Sequence, residues 1–507
     1  MTSNPASTKT VMLTRHETMP TEMPITETKT CKVMLIRSPS VMQLNSRLAA
    51  SLVKIMGVVP PLGLLYVAAV LEKNNIPVRV LDALVEEIDM QETQRRIEAF
   101  RPDLVGIAIS SATIKQDLEV ARMCKKLGAK VLLGGAHMTS YPNELLSYEE
   151  VDFGIMGEGE TPFLKLAEAL RDNTSFEKID GMVFKKEGKV IINKPWIEPD
   201  LNALPFPARH LVPWEKYSII IADHPMATIS TGRGCPYRCG FCYKQPSDMR
   251  YRFRSAQNIM EEVKQVYNRY KVKEICFVDD TFTVEKKHVL ELCDMFIKEE
   301  LHKKIKWQTT TRVDCVDYEL LKRMKEAGCR QLRFGIESGD PETLKLMNKQ
   351  ISRERAKQVV KWCREIGIES FAYFQIGYAH ETEESIQRTI DFSIELDLDL
   401  LMYNVATPLP QTPLYMLAMQ EGIIKGDYWR EYTLGKRQDR IPFFVKDADK
   451  WVSRAYKRFF FRPKFILRQV GKLQNPRMFK KYVEAFMAIT FFNMVPEEKV
   501  EDSAVAS

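Results

Sequence analysis

From Lys32 onward, short apolar runs alternate with helix-length segments, and this alternation constrains the fold more than any single motif does. A strand that leads into a helix returns parallel to itself, so the pattern calls for parallel sheets covered by helices. Candidate strands are Lys32 to Arg37, Val78 to Leu81, Leu104 to Ile109 and Lys130 to Leu133. Helices are expected over Leu62 to Asn74, after Pro60-Pro61, and over Gln116 to Leu127 and Pro162 to Leu170. Together they predict an α/β, doubly wound parallel sheet over residues 31–195. Met182 to Ile192 reads as a hairpin turning at Gly188, and Pro195, Pro199, Pro205 and Pro207 punctuate a linker over residues 196–225.

The alternation then resumes. Strands are expected at Met226 to Ser230, Glu274 to Asp279, Lys306 to Thr311, Gln331 to Ile336, Phe371 to Ile376 and Leu400 to Val405. Six βα units suggest a partial (β/α)6 barrel over residues 226–425. Ser255, Asp340-Pro341 and Thr382 stand where helix caps or first-turn residues belong. In such barrels chemistry gathers at the carboxyl ends of the strands.

Composition narrows the class. The chain has 507 residues, 45% of them apolar, with only 23 Gly and 26 Pro. Its apolar runs stay well short of the roughly 18 uncharged residues a spanning helix needs. Residues 1–30 hold nine Thr and three Pro without an apolar core, so a flexible tail is expected there rather than a secretory signal. A reducing cytoplasm follows, where the ten cysteines are free thiols or metal ligands. The net charge of +7 is uneven, because residues 452–481 carry ten Lys or Arg and no acid. Phe459, Phe460, Phe461, Phe465, Ile466 and Leu467 interleave with these cations, in a mainly helical, basic and aromatic region expected over 426–507. The mixture suits peripheral contact with a membrane surface or an anionic partner. The alternative is a C-terminal cap with solvated cations and packed aromatics.

Immediately after the first barrel strand comes Gly232-Arg-Gly-Cys235-Pro-Tyr-Arg-Cys239-Gly-Phe241-Cys242-Tyr243, a C-x3-C-x2-C spacing in a glycine-bearing loop. A cubane iron–sulfur cluster usually takes four thiolates, so three leave one iron open to a small molecule. The competing reading is a zinc site completed by a distant ligand such as Cys276 or His224.

This loop resembles the signature of the radical S-adenosylmethionine (SAM) superfamily, with Phe241 in its aromatic position. The likeness extends to Arg250-Tyr-Arg-Phe-Arg254-Ser255, Phe277-Val-Asp279-Asp280-Thr-Phe282, Thr310-Thr-Arg312-Val-Asp314 and Phe334-Gly-Ile-Glu337-Ser-Gly339. These resemble landmarks of the class that carries an N-terminal cobalamin-binding domain. The resemblance implies a [4Fe–4S] cluster on Cys235, Cys239 and Cys242, with Phe241, Asp279, Arg312 and Glu337 at the SAM site. Two departures touch the substrate pocket. Gly377-Tyr-Ala-His380-Glu-Thr382 lacks the proline common there, and Gln411 replaces a common glycine. His380 is a candidate proton acceptor, although a lone histidine is more often structural.

Upstream, Val59-Pro-Pro-Leu-Gly63, Leu81-Asp82-Ala83, Ile109-Ser110-Ser111-Ala-Thr113, Gly134-Gly135-Ala-His137 and Met156-Gly-Glu158-Gly-Glu160 are similar, in order, to Rossmann-like cobalamin-binding domains. The likeness implies cobalamin at Ser110, Ser111, Thr113, Gly134 and Gly135. A D-x-H-x-x-G sequence is absent, so the cobalt is expected to have no histidine lower ligand. The implied activity is methylation of an unactivated carbon, drawing on two molecules of SAM. Oxidative cyclisation or another rearrangement with the same cofactors is the runner-up, and a cluster-bearing regulator without turnover is a distant third. The basic C-terminal region and Phe371-Ala-Tyr-Phe suggest a large apolar substrate, such as a tetrapyrrole (bacteriochlorophyll-type) precursor or a hopanoid-type lipid. The expected electron donor is of the reduced flavodoxin or ferredoxin type, and no nucleic acid is expected.

Overall fold

The computed structural model describes residues 30–39, 57–219, 222–245 and 250–470. The expected tail therefore lies outside the described residues apart from Thr30, as does the C-terminal region beyond residue 470. The N-terminal lobe is a seven-stranded sheet of β1 (Val33–Arg37), β2 (Val78–Asp82), β3 (Leu104–Ala108), β4 (Lys130–Gly134), β5 (Phe153–Ile155), β6 (Met182–Lys186) and β7 (Lys189–Ile192). Its order is β2-β1-β3-β4-β5-β6-β7, with the first five strands parallel and the hairpin β6–β7 antiparallel. The order reverses between β1 and β3, which opens a crevice at the carboxyl edge. β5, only three residues long, was not anticipated. Its flanks carry too short an apolar run to announce a strand.

Eight consecutive residues of the helix Leu62–Lys73, Leu64 to Leu71, are buried. The helix packs on β1 and β2, beside the helix Glu160–Asp172, and its Leu65 carbonyl accepts from the Ala208 N–H, which explains a segment apolar on nearly every face.

The second lobe holds β8 (Met226–Ile229), β9 (Gly232–Arg233), β10 (Arg252–Phe253), β11 (Glu274–Phe277), β12 (Lys306–Thr311), β13 (Cys329–Glu337), β14 (Glu369–Ile376) and β15 (Leu400–Val405). Six of these form an all-parallel sheet in the order β15-β14-β13-β12-β11-β8, and β9 pairs with β10 beside it. Ser255, Asp340 and Thr382 each cap a helix by accepting a backbone N–H, as their positions predicted.

Residues 196–225 do more than link. Arg209, 2% exposed, bonds the Thr228 carbonyl and pairs with Glu262, which also holds Arg254. The Tyr217 hydroxyl reaches Asp82 at 2.7 Å. Leu35 and Phe153 of the first sheet share one apolar core with Trp214, Ile229 and Phe334.

The C-terminal helices serve both lobes. Thr433 and Asp427 bond Tyr148 and Tyr141 of the N-terminal lobe. The helix Ala448–Phe460 packs on β15, its Tyr456 hydroxyl accepting from the Tyr403 N–H. Phe459 and Phe465 are buried, while Phe461, Ile466 and Leu467 are exposed. Arg458 pairs with Asp391 and Lys464 with Asp397. The first half of the basic run is thus a packed cap. Among the described residues no helix is long and apolar enough to cross a membrane.

Candidate functional site at the junction of two sheets

The cysteine loop leaves β8 at the carboxyl end of the barrel. Asp279, just after β11, fixes its entry by accepting from the Thr231 and Gly232 N–H groups and the Thr231 hydroxyl, at 2.7–2.8 Å. Burial pushes this carboxyl up to about 6, against the lowering effect of those donors. Asp279 was expected at SAM. Its carboxylate is instead buried and committed to the loop, which makes it a brace.

Cys235 is buried, Cys239 intermediate and Cys242 exposed. Burial pushes the Cys242 thiol up to about 11, and the neighbouring Asp280, Cys239 and Cys235 add to this while Lys244 opposes it. Cys239 and Cys235 thus both act on Cys242, although among the described residues no three His, Cys, Asp or Glu side chains stand at metal-ligand distances. Their donor chemistry, on one braced loop, fits an iron–sulfur cluster. Neither zinc partner fits. Cys276 faces Arg333 inside the barrel, and His224 precedes β8 and so lies at its opposite end.

Arg312 stacks over Tyr237 at 3.8 Å, grips Asp314 with two nitrogens and points Nη1 at the Cys239 sulfur, 3.7 Å away. Glu337 sits at a bulge with a φ of 70°, a left-handed value that non-glycine residues seldom adopt. It accepts from Lys349 Nζ and Gln375 Nε2, both at 3.0 Å. Lys349 was missed from the sequence. It is 5% exposed, its ammonium lies 5.7 Å from the Phe241 ring, and its carbonyl accepts from Arg312 at 2.7 Å. One residue therefore ties together three that the sequence had singled out. Gly335 is the readable trace of it, since a Cβ there would stand 2.5 Å from Glu337 Oε1 and 2.8 Å from Lys349 Nζ. Phe241 packs against Met347, Tyr378 and Leu414. His380 is paired with Glu421 at 3.0 Å. Gln411, with a φ of 58°, adopts the left-handed backbone a glycine would take and donates to the Ser140 carbonyl of the other lobe.

Over the first sheet lies a cavity of about 400 Å³, lined by Leu62, Gly63, Gly134, Gly135, Gly157 and Gly159 among others. A Cβ at Gly63 or Gly134 would meet no protein atom within 4 Å, so both leave open space above the sheet edge. Such a cradle fits a bulky cofactor. Ser230, Arg233 and Val278 of the second lobe complete its wall, and Arg233 pairs with Glu160 at 2.5 Å. Ser110, Ser111 and Thr113 do not line it. Ser110 bonds Thr113, which bonds Asp117, while Ser111 bonds His137 Nδ1. His137 Nε2 meets Thr433, and burial pushes this imidazole down to about 4. With both ring nitrogens engaged, the histidine has no lone pair for a metal.

Comparison with known proteins matches this arrangement. The radical SAM superfamily model fits residues 229–393 and the B12 binding domain model residues 49–167. The chain is 31% identical over 452 residues to an uncharacterized methyltransferase of Pyrococcus horikoshii, covering 87% of this chain and 95% of that one. It is 27% identical over 432 residues to the anaerobic magnesium-protoporphyrin IX monomethyl ester cyclase of Rubrivivax gelatinosus, covering 82% and 76%. The radical SAM methyltransferase TsrM of Kitasatospora setae, solved with cobalamin and a [4Fe–4S] cluster, shares the fold with a TM-score of 0.64 at 19% identity, over 77% of this chain and 78% of that one. The two lobes, the ordered motifs and the near full-length similarity converge on one family: the chain belongs to the cobalamin-dependent radical SAM superfamily, uses a [4Fe–4S] cluster, SAM and cobalamin, and is an enzyme that transfers methyl groups.

Proposed function

We propose that the chain methylates an unactivated carbon of a large, mostly apolar small molecule, of the tetrapyrrole-precursor or hopanoid-lipid kind. The observation that carries this reading is the shared wall. The cavity above the first sheet is closed by Ser230 and Arg233, at the root of the cysteine loop, so a methyl donor and a hydrogen acceptor would face one space. When bound, the cluster and SAM supply the hydrogen-abstracting chemistry and cobalamin supplies the methyl group.

The chain's own residues hold and orient. Cys235, Cys239 and Cys242 would carry the cluster, with Arg312 offsetting thiolate charge beside Cys239. The Lys349–Glu337 pair offers an ammonium and a carboxylate where the charged methionyl group or ribose of SAM would lie. Gly63 and Gly134 leave room for cobalamin, and the committed His137 supports a cobalt without a histidine lower ligand. The electron donor in this reading is a reduced flavodoxin or ferredoxin. The setting is cytoplasmic, with Phe461, Ile466 and Leu467 available for peripheral membrane contact.

The test is anaerobic reconstitution with iron, sulfide and cobalamin, followed by turnover on candidate tetrapyrroles and polycyclic lipids. S-adenosylhomocysteine, 5′-deoxyadenosine carrying substrate deuterium, and a product one methyl group heavier are expected. A cyclised or oxidised product without added methyl would instead support the reading suggested by the cyclase relative.

A further inference from the structure

The inner face of the barrel carries a charge that no carboxylate among the described residues balances. Parallel register places Thr310, Arg333, Phe371 and Leu400 side by side on β12 to β15, with Gly335, Tyr373 and Met402 one step nearer the mouth. Arg333, Tyr373 and Met402 are partly exposed, whereas their outward-facing neighbours Phe334, Phe374 and Tyr403 are fully buried. The exposed face is therefore the interior one, and it forms a well that reaches down to Arg333.

The carboxylates above and below are already matched. At the floor Glu274 pairs with Arg330 at 2.6 Å, and Arg330 also pairs with Glu369 at 2.5 Å. At the mouth Glu337 is held by Lys349. Arg333 between them donates to the Cys276 sulfur at 2.8 Å and bonds Tyr373, and its Nε is buried without a partner. Among the described residues it forms no ion pair. The Thr228 hydroxyl and the Gln331 carbonyl oxygen are likewise buried and unpartnered. A guanidinium cannot shed its proton, so burying one without a carboxylate is costly unless an anion arrives. Arg333 pairs with Phe371 and Glu337 with Phe374, so across the bulge Arg333 lies three strand steps, roughly 10 Å, below Glu337. That sets the guanidinium below the level of the Glu337–Lys349 pair at the mouth.

We propose that Arg333 determines substrate specificity by binding an oxyanion of the substrate, a carboxylate or phosphate type, whose aromatic or apolar body lies along Phe371, Tyr373 and Met402. This deepens the methyltransferase reading and rests on it. The substrate is then amphipathic, entering the well with its anionic end first.

The test compares anaerobically reconstituted holoprotein with its Arg333→Gln and Arg333→Lys variants. Melting temperature is followed against propionate and against inorganic phosphate, with chloride at matched ionic strength as the control. The wild type is expected to show a saturable rise with either oxyanion and none with chloride, Arg333→Gln no rise, and Arg333→Lys a midpoint at least about fivefold weaker, because lysine keeps the charge but loses the fork. SAM affinity by equilibrium dialysis should stay within about twofold in both variants. An unchanged oxyanion response in either variant overturns the proposal, as does a rise with chloride alone. A tenfold loss of SAM affinity in Arg333→Gln, about 1.4 kcal/mol, also overturns it by assigning the cation to the cofactor's carboxylate. Should Arg333→Gln not fold, Arg333→Lys decides by the same criterion. Failure of the methyltransferase reading is separate, since it would show as wild-type turnover without S-adenosylhomocysteine whatever Arg333 binds.

Discussion

The two carboxyl edges that meet at the junction are built on opposite principles. The crevice over β1, β3, β4 and β5 is lined largely by glycines and apolar side chains, its Arg233 is matched by Glu158 and Glu160, and His137 is locked between Ser111 and Thr433. The barrel mouth gathers Arg312, Lys349 and Glu337 from separate strand ends and turns around the loop that carries three thiols. One side selects by shape and the other by charge. A large cofactor without a histidine ligand needs room and backbone approach, whereas a sulfonium with a zwitterionic tail needs fixed counter-charges.

The contrast is broken most severely at the cysteines. Cys239→Ala removes a cluster ligand beside Arg312, and reductive cleavage of SAM should fall by more than about a thousandfold, with loss of the cluster's visible absorbance. Cobalamin binding should survive, because no crevice residue bonds to Cys239. Loss of both cofactors would show that the two edges are not separable.

Gly134→Val is the mirror experiment. Its Cβ meets no protein atom within 4 Å, so the fold should tolerate the change while the side chain fills the cradle. Cobalamin affinity should drop by about a hundredfold and methylation with it, leaving cluster content and SAM affinity at wild-type levels. Equilibrium binding of cobalamin to the apoprotein gives the answer directly.

Within the charged edge, Arg312→Gln should be milder. It leaves the three thiols in place but removes the cation facing Cys239 and the donor to the Lys349 carbonyl. The KM for SAM should rise by about tenfold with a smaller fall in kcat, and cobalamin binding should be unchanged.

How much of this was legible in the sequence follows the same division. Short-range pattern announced all six barrel strands, with β12 and β15 matching to the residue, and the cap residues Ser255, Asp340 and Thr382. The cysteine loop was legible because its spacing is local. Lys349 was not, because it enters the site from a turn after a short helix and bonds Glu337 only through tertiary folding. Ser110, Ser111 and Thr113 follow β3 as expected, yet their hydroxyls turn to Asp117 and His137, a choice set by packing. Of Phe371-Ala-Tyr-Phe, read as one apolar surface, Phe371 and Tyr373 face the barrel interior while Phe374 belongs to the outer core. Strand alternation would have separated them.

Asp279 is where charge is used for architecture instead of ligand binding, and its substitution should have the least effect on catalysis. Burial raises its folded pKa to about 6, above the ordinary aspartate value of 3.8. Between those values the folded state holds a proton that the unfolded state has released. Stability therefore falls as pH rises through this window, and the loss is complete above about pH 6. A shift of about two units corresponds to roughly 3 kcal/mol at most. Asp279→Asn keeps an acceptor for the Thr231 and Gly232 N–H groups and removes the titration. Denaturant unfolding of the apoprotein should show the variant gaining on wild type as pH rises from 4 to 7, with SAM affinity nearly unchanged. Asp117, raised to about 6, and Glu381, raised to about 7, keep part of the slope in both proteins, so only the difference between them reports Asp279. A constant gap across that range would show that Asp279 does not titrate there, and a large loss of SAM affinity would return it to the ligand-binding role the sequence suggested.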